Sequence, residues 1–201
     1  MHSAGEVLDW LKVGNARYCS DQNSARPNHD LRQELTGGQS PHAIILGCAD
    51  SRVPPEMIFD CTLGELFVIR IAGNGPTTEA IASIEYAVEV LNTPLVVVMG
   101  HTQCGALTAA VNYHLSGQEL PGHLTELVEP MKLAVDFAQQ QNSGDLVDQA
   151  IRGHVAMTAK KLRETEPLLA PAVRKKRVQI VGGIYHLDSG QVEFFDAPTV
   201  V

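Results

Sequence analysis

The segment AIILGCADSRVPPE (residues 43–56) runs from an apolar stretch directly into a cluster of polar and reactive side chains. Its first residues are apolar on every side, which is typical of a strand that is covered on both faces of a parallel sheet. Cys48, Asp50 and Arg52 follow at alternate positions. The segment therefore predicts a buried strand that ends in a thiol, a carboxylate and a guanidinium group.

A second segment, PLVVVMGHTQCGA (residues 94–106), repeats this pattern later in the chain, with His101 and Cys104 after the apolar run. In an open parallel sheet, ligands bind in the crevice beyond the carboxyl ends of the strands. The two polar clusters are therefore predicted to contribute to one site.

Apolar runs and helical periods alternate along the rest of the chain. Further strands are predicted at 66–71 and in RVQIVGGIYHLDSGQVEFFD (177–196), where a core strand enters a hairpin with its turn at DSG. Helical periods cover residues 6–18, 77–91, 103–113, 123–140 and 145–164. This order predicts an α/β fold with a central, mainly parallel β-sheet flanked by helices, an N-terminal helical arm and a C-terminal hairpin. We interpret residues 1–201 as one domain, with the arm over 1–35 and the α/β core over 41–201.

Composition excludes several classes of function. The 201 residues carry a formal charge of −8, which argues against nucleic acid as a partner because phosphate binding requires surplus Lys and Arg. No apolar stretch approaches the length of a membrane span, and the first residues do not resemble a secretory signal. Four cysteines do not make a disulfide framework in a chain of this size. We expect a cytoplasmic protein, or an organellar one if a transit peptide has been trimmed.

The side chains at the two strand ends form a set that suits zinc. Zinc prefers sulfur and nitrogen ligands in tetrahedral geometry, and the two segments offer two thiols, an imidazole and a carboxylate. His101 and Cys104 are close enough in sequence to face one cavity, where helix amides favour a thiolate. Each residue alone is more typical of ordinary packing, but together they predict a metal site. Cys19 and Cys61 are predicted to be small apolar core residues.

The CADSR and HTQCG motifs together closely resemble the CxDxR…HxxCG signature of the β-class carbonic anhydrases. The segments GQSPHAIILGCADSRVPPEMIFD, LGELFVIR and SIEYAVEVL also resemble family segments, in the expected order. The resemblance implies one Zn²⁺ per chain, with Cys48, His101 and Cys104 as permanent ligands. It implies that Asp50 either binds zinc as a fourth ligand or pairs with Arg52 and leaves that position to water.

The implied reaction is the reversible hydration of CO2 to bicarbonate and a proton, by attack of zinc-bound hydroxide. Asp50 is expected to accept a hydrogen bond from the zinc-bound water and orient it. Some bacterial members of the family close their site with a tryptophan where this chain has Ile45. We therefore expect an open site, with Asp50 paired to Arg52 near neutral pH.

The resemblance also implies residues that contact substrate and an oligomeric assembly. Gln39 matches a glutamine that reaches across a dimer interface, Phe67 and Tyr86 match lining residues, and the amide of Gly105 matches a donor beside the substrate. The family forms homodimers, which often pair into tetramers or larger assemblies. An amphipathic N-terminal helix with Trp10 fits a role in wrapping the partner, because so early a helix is expected to have little of its own domain to cover.

Three alternatives remain open from the sequence. The same site could hydrolyse another small cumulated substrate, such as carbon disulfide. The zinc could be structural, with four closed ligands, although an arginine that competes for one ligand argues against that. Finally, Cys104 could be a nucleophile activated by His101, which leaves Cys48 and Asp50 unexplained.

Overall fold

A computed structural model describes residues 2–24, 29–117, 119–141 and 144–195. Its centre is one five-stranded sheet with the strand order β2-β1-β3-β4-β5. The strands are β1 (Ala43–Gly47), β2 (Leu66–Arg70), β3 (Leu95–His101), β4 (Gln179–Tyr185) and β5 (Val192–Phe195). The first four are parallel, and β5 pairs antiparallel with β4. The predicted mainly parallel sheet with a C-terminal hairpin is confirmed.

The two strands that carry the polar clusters are neighbours at the centre of the sheet. Every residue of β1 and of β3 is buried, as the continuous apolar runs predict. The register pairs Gly47 with Met99, so the two strands end at the same edge of the sheet. By contrast β2 is an edge strand, and four of its five residues are only half-buried. The loops that follow β1 and β3 are thereby brought together.

Helices cover the sheet. They are α1 (Ala4–Cys19), α2 (His29–Glu34), α3 (Pro55–Ile58), α4 (Thr78–Glu89), α5 (Gly105–Ser116), α6 (Leu124–Val128), α7 (Lys132–Gln140), α8 (Leu146–Glu164) and α9 (Leu169–Arg174). Thr77 caps α4 by accepting a hydrogen bond from the Ala80 amide. Asp145 caps α8 in the same way through the amides of Val147 and Asp148. Within the described residues, no helix is both long and apolar enough to span a membrane.

Two predicted helix boundaries differ from the structure. The helix predicted over 123–140 is interrupted by a 3-10 turn over Glu129–Met131, because Pro130 has no amide hydrogen to continue the helical ladder. The helix predicted from Gln103 begins at Gly105 instead. Gln103 has a φ of 58°, which lies outside the right-handed helical region and places this residue in the turn before the helix.

The N-terminal helix packs on its own domain, so the expectation that it has little of that domain to cover was wrong. Val7 and Leu11 of α1 are buried in the core. The Asn15 amide donates to the carbonyls of Ile58 and Gly190, at 3.1 and 2.8 Å. Gly14 permits this close approach, since a Cβ at that position would lie 2.0 Å from the Phe59 carbonyl oxygen.

The two cysteines outside the motifs behave differently from one another. Cys61 is buried as predicted, and burial raises the pKa of its thiol well above the ordinary value. Cys19 is exposed at the end of α1, so the prediction that it fills the core was wrong. The helical period does not place Cys19 on the face of α1 that carries Val7 and Leu11, which is the face buried in the core.

Candidate metal centre

Three side chains from the two central strands meet at one point. Cys48 follows β1, His101 ends β3, and Cys104 is the residue before the first turn of α5. The potential ligand atoms of these residues all lie within 4.8 Å of one another. All three residues are buried, with at most 5% of their surface exposed. A search of the described residues for His, Cys, Asp and Glu side chains close enough to hold a metal ion finds this cluster of three.

The hydrogen bonding of His101 leaves one ring nitrogen for a metal. Its Nδ1 lies 2.9 Å from the carbonyl oxygen of Thr102, an acceptor, so Nδ1 carries the proton. Nε2 is buried and has no hydrogen-bond partner among the described residues. A buried nitrogen without a partner is costly, whereas a metal ion at this point would use its lone pair. The tautomer of His101 therefore fits a metal ligand.

The pKa values of the two thiols are shifted in opposite directions by their contact with each other. The hydrogen bond from Cys104 lowers the pKa of Cys48 well below its usual range, against the effect of burial, and the amide of Gly73 adds to the lowering. The same hydrogen bond, together with burial, raises the pKa of Cys104, although the amides of Ala106 and Leu107 at the start of α5 oppose the rise. Binding of a divalent metal by both sulfurs would release the remaining proton.

Asp50 lies beside this group and is held by Arg52. Nε of Arg52 donates to Oδ1 at 3.0 Å, and Nη2 donates to Oδ2 at 2.8 Å. The backbone amide of Arg52 also donates to Oδ1, at 2.9 Å. The hydrogen bonds from the Arg52 side chain are the largest of the effects that lower the pKa of Asp50. Oδ2 lies 3.9 Å from Nε2 of His101, so the carboxylate adjoins the ligand atoms while Arg52 occupies both its oxygens.

Two residues that the sequence did not place at the site, Arg70 and Gly73, form hydrogen bonds to its residues. Arg70, which ends β2, donates to the carbonyl oxygens of Cys48 and Asp50 and so braces the loop after β1. The amide of Gly73 donates to Sγ of Cys48 across 3.4 Å. The glycines of the AGNG segment after β2 were the available signal for a tight turn there. Nothing in the spacing connected that turn to Cys48.

The predicted substrate-binding residues occupy different places. Gly105 opens α5 directly after Cys104. Phe67 and Tyr86 contact each other, with ring centroids 6.3 Å apart. In the sheet Phe67 lies beside Ile44, which is four residues and about 13 Å of strand before Cys48. Gln39 is exposed and precedes β1, at the opposite end of that strand from Cys48. The single chain therefore does not bring Gln39 and Phe67 to the metal ligands, and their roles stay predictions.

Comparison with known proteins gives consistent similarities. A family profile described as "Carbonic anhydrase" matches residues 43–192. Carbonic anhydrase 2 of Mycobacterium tuberculosis is 37% identical over 203 aligned residues, which cover 98% of this chain and 96% of that protein. The structure of the β-carbonic anhydrase CcaA has a TM-score of 0.73 and 27% identity, and covers 96% of this chain and 94% of its own. One of two tetrameric β-carbonic anhydrases from Sordaria macrospora has a TM-score of 0.75 and 26% identity, with 90% of each chain covered.

Proposed function

This chain belongs to the β-class carbonic anhydrase family, and we propose that it uses one zinc ion per chain to catalyse the reversible hydration of CO2 to bicarbonate and a proton. One observation carries the proposal: Sγ of Cys48, Nε2 of His101 and Sγ of Cys104 converge in a buried site, and Nε2 has no other partner among the described residues. Two sulfurs and one imidazole nitrogen are a donor set that zinc prefers.

The three side chains would hold the metal and leave one tetrahedral position for water or substrate. When bound, zinc supplies a Lewis acid that lowers the pKa of a coordinated water from ~16 to about 7. Two thiolates donate more negative charge than neutral imidazoles and work against this effect. Hydrogen bonds that draw charge away from the sulfurs, from the amides of Gly73, Ala106 and Leu107, would partly offset it.

Asp50 is the residue that we propose to act on the water. Its ordinary pKa already lies well below neutral pH and Arg52 lowers it further, so the carboxylate is ionised and can only accept hydrogen bonds. Arg52 donates in the plane of the carboxylate through two parallel bonds, which restrains the direction of the remaining lone pairs. A water held beside Nε2 of His101 would donate one hydrogen to Asp50 and direct its own lone pair at the carbon of CO2.

The start of α5 would stabilise the negative charge that develops on the substrate. The amide of Gly105 lies in the first turn of that helix, where backbone N–H groups have no partners within the helix. The positive end of the helix dipole favours an anion at this point. We infer that Gly105 donates a hydrogen bond to the oxygen of CO2 that becomes negative.

We infer that a second copy of the chain completes the site. The edge strand β2 is only half-buried, and Tyr86 beside it is 47% exposed. Native proteins protect edge strands in several ways, one of which is to cover them, and a partner subunit would cover β2 here. Gln39, Phe67 and Tyr86 would then contact substrate in the partner's site. The Sordaria relative is described as tetrameric, which supports an assembly of at least two chains.

The test is zinc content together with CO2 hydration, measured on wild type, Cys104→Ser and Cys19→Ser. We expect one zinc per chain and rapid hydration in wild type, and loss of both in Cys104→Ser because a hydroxyl group is a poor zinc ligand. Cys19→Ser is the matched control: it makes the same change at an exposed position outside the site and should retain both.

The same preparations should be assayed with carbon disulfide. Hydration of CO2 without hydrolysis of carbon disulfide is the expected result, and the reverse pattern would favour the alternative substrate. Stoichiometric zinc with no acceleration of CO2 hydration would indicate a structural metal instead. Full activity after zinc removal would indicate that Cys104 acts as a nucleophile.

A further inference from the structure

His154 is a buried titratable residue that the proposed reaction does not use. It lies on α8 with 6% of its surface exposed. Its Nε2 is 2.8 Å from the carbonyl oxygen of Gly73, which can only accept, so Nε2 carries a proton. Burial lowers the pKa of His154, which keeps the ring neutral near physiological pH. The contact joins residues 81 positions apart in the chain, so the tertiary fold creates it.

Gly73 is also the residue whose amide donates to the sulfur of Cys48, at 3.4 Å. It lies in the short turn after β2 and has a φ of 72°, in the left-handed region that favours glycine. Asn74 follows with a φ of 42°, so two consecutive residues have positive φ. Glycine reaches this region at no steric cost and asparagine tolerates it, so the local sequence permits the turn and contacts with its surroundings help to select its geometry.

His154 supplies a side-chain hydrogen bond to this turn, in addition to the backbone bond from the Asn74 amide to the Ile71 carbonyl at 2.8 Å. A Cβ on Gly73 would lie 2.4 Å from Cε of Met131, so packing restrains one side of the glycine. Ala72 and Gly75 on either side of it line a cavity of about 440 Å³, which His154 also lines. Packing is therefore incomplete around the turn, and the bond from His154 is the directional contact made by the Gly73 carbonyl.

We propose that His154 is a positioning residue for the metal centre: by holding the carbonyl of Gly73, it directs the amide of the same residue onto the sulfur of Cys48. The inference rests on the proposed zinc site, since it concerns the sulfur that binds the metal. A hydrogen bond to a thiolate withdraws negative charge from it. His154 thus acts through the turn on the charge that Cys48 donates, and on the geometry in which Cys48 is presented.

The experiment compares His154→Met with His154→Gln, two unbranched side chains of similar volume. Glutamine retains an N–H donor near the position of Nε2, and methionine does not. Thr158→Val is the control, because Thr158 is also buried, lies one turn further along α8 and lines the same cavity, but is not hydrogen-bonded to Gly73 among the described residues. Zinc affinity is measured by competition with a chelator. The thiolate-to-metal charge-transfer band is recorded on the cobalt-substituted proteins.

The zinc dissociation constant of His154→Met is expected to rise about ten- to hundred-fold, the usual effect of removing an outer hydrogen bond at a metal site. Its charge-transfer band is expected to shift, while His154→Gln and Thr158→Val stay close to wild type. Wild-type affinity and an unshifted band in a folded His154→Met would overturn the inference and reduce His154 to a packing residue. Zinc binding and CO2 hydration by wild type would leave the proposed function intact in that event.

If neither His154 variant folds, nuclear magnetic resonance on zinc-loaded wild type decides the matter. A Gly73 amide and a His154 Nε2 proton that both exchange slowly with solvent support the inference. Rapid exchange of either one means that the corresponding hydrogen bond is absent, and overturns it.

Discussion

At the scale of the residue, Arg52 controls where the Asp50 carboxylate points. Two parallel side-chain bonds and the Arg52 backbone amide hold it. We predict that Arg52→Lys lowers kcat/KM for CO2 hydration roughly ten- to hundred-fold with zinc content unchanged, because an ammonium group cannot form the paired bonds. Arg174→Lys makes the same change at the exposed pair with Glu166 and should have no effect. An Arg52→Lys enzyme with wild-type kcat/KM would contradict the role given to Asp50.

His154 gives a prediction for stability against pH. Burial lowers its pKa in the folded state, whereas in the unfolded chain the pKa is about 6.5. Well above pH 6.5 the ring is neutral in both states, and its titration does not affect stability. As the pH falls below 6.5, the unfolded chain binds a proton at His154 that the folded chain does not bind. The free energy of unfolding therefore falls by up to about 1.4 kcal/mol per pH unit. The loss continues until the folded-state pKa is reached.

The measurement is urea unfolding of wild type and His154→Gln between pH 7 and pH 5. The difference in unfolding free energy between the two proteins should change with pH in favour of His154→Gln as the pH falls. If the unfolding free energies of the two proteins changed with pH in the same way, His154 would have the same pKa in the folded as in the unfolded chain, which would contradict the prediction.

At the scale of the element, α1 is joined to the core through Asn15. Its side chain bonds the carbonyls of Ile58 and Gly190 and the amide of Val192, which belong to α3, the hairpin turn and β5. We predict that Asn15→Ala lowers the free energy of unfolding by ~1–3 kcal/mol, because the buried carbonyl of Ile58 and two half-buried backbone groups would lose their partner. Urea unfolding measures the change.

The control for Asn15→Ala is Lys12→Ala on the exposed face of α1, where an ion pair with Asp9 contributes little. Equal stabilities of the two variants would mean that α1 is held by its apolar face alone.

Most helices and strands were predicted correctly from the local pattern of apolar residues. The boundaries that differ have physical causes in the backbone. The runs that became β1 and β3 were visible because a strand buried on both faces must be apolar throughout. The break at Pro130 could have been anticipated, since proline lacks the hydrogen-bond donor of a helix interior. The later start of α5 could not have been anticipated, because the φ of 58° at Gln103 depends on the turn that follows β3.

At the scale of the whole molecule, the half-buried β2 strand is the feature that calls for a partner. We predict that light scattering gives at least twice the chain mass of 21.7 kDa, unchanged on dilution through the micromolar range. The mass of one chain would contradict the proposal that a second copy completes the site. The role of α1 as an arm around the partner also stays a prediction, and the face of the helix that carries Val7 is not available for it.

The sequence by itself predicted the fold class and the three residues, Cys48, His101 and Cys104, that meet in a cluster able to hold a metal ion. Both predictions rest on short segments of the chain. One strand and the loop after it carry Cys48, and another strand with its loop carries His101 and Cys104. Only the tertiary structure decided how those residues are arranged: which nitrogen of His101 is free, that the pair expected between Arg52 and Asp50 uses both carboxylate oxygens, and that His154 reaches the Gly73 turn. The physical reason is that hydrogen bonds depend on direction as well as distance. Direction is set by backbone conformation and by packing between elements far apart in the chain, which no local pattern of residues records.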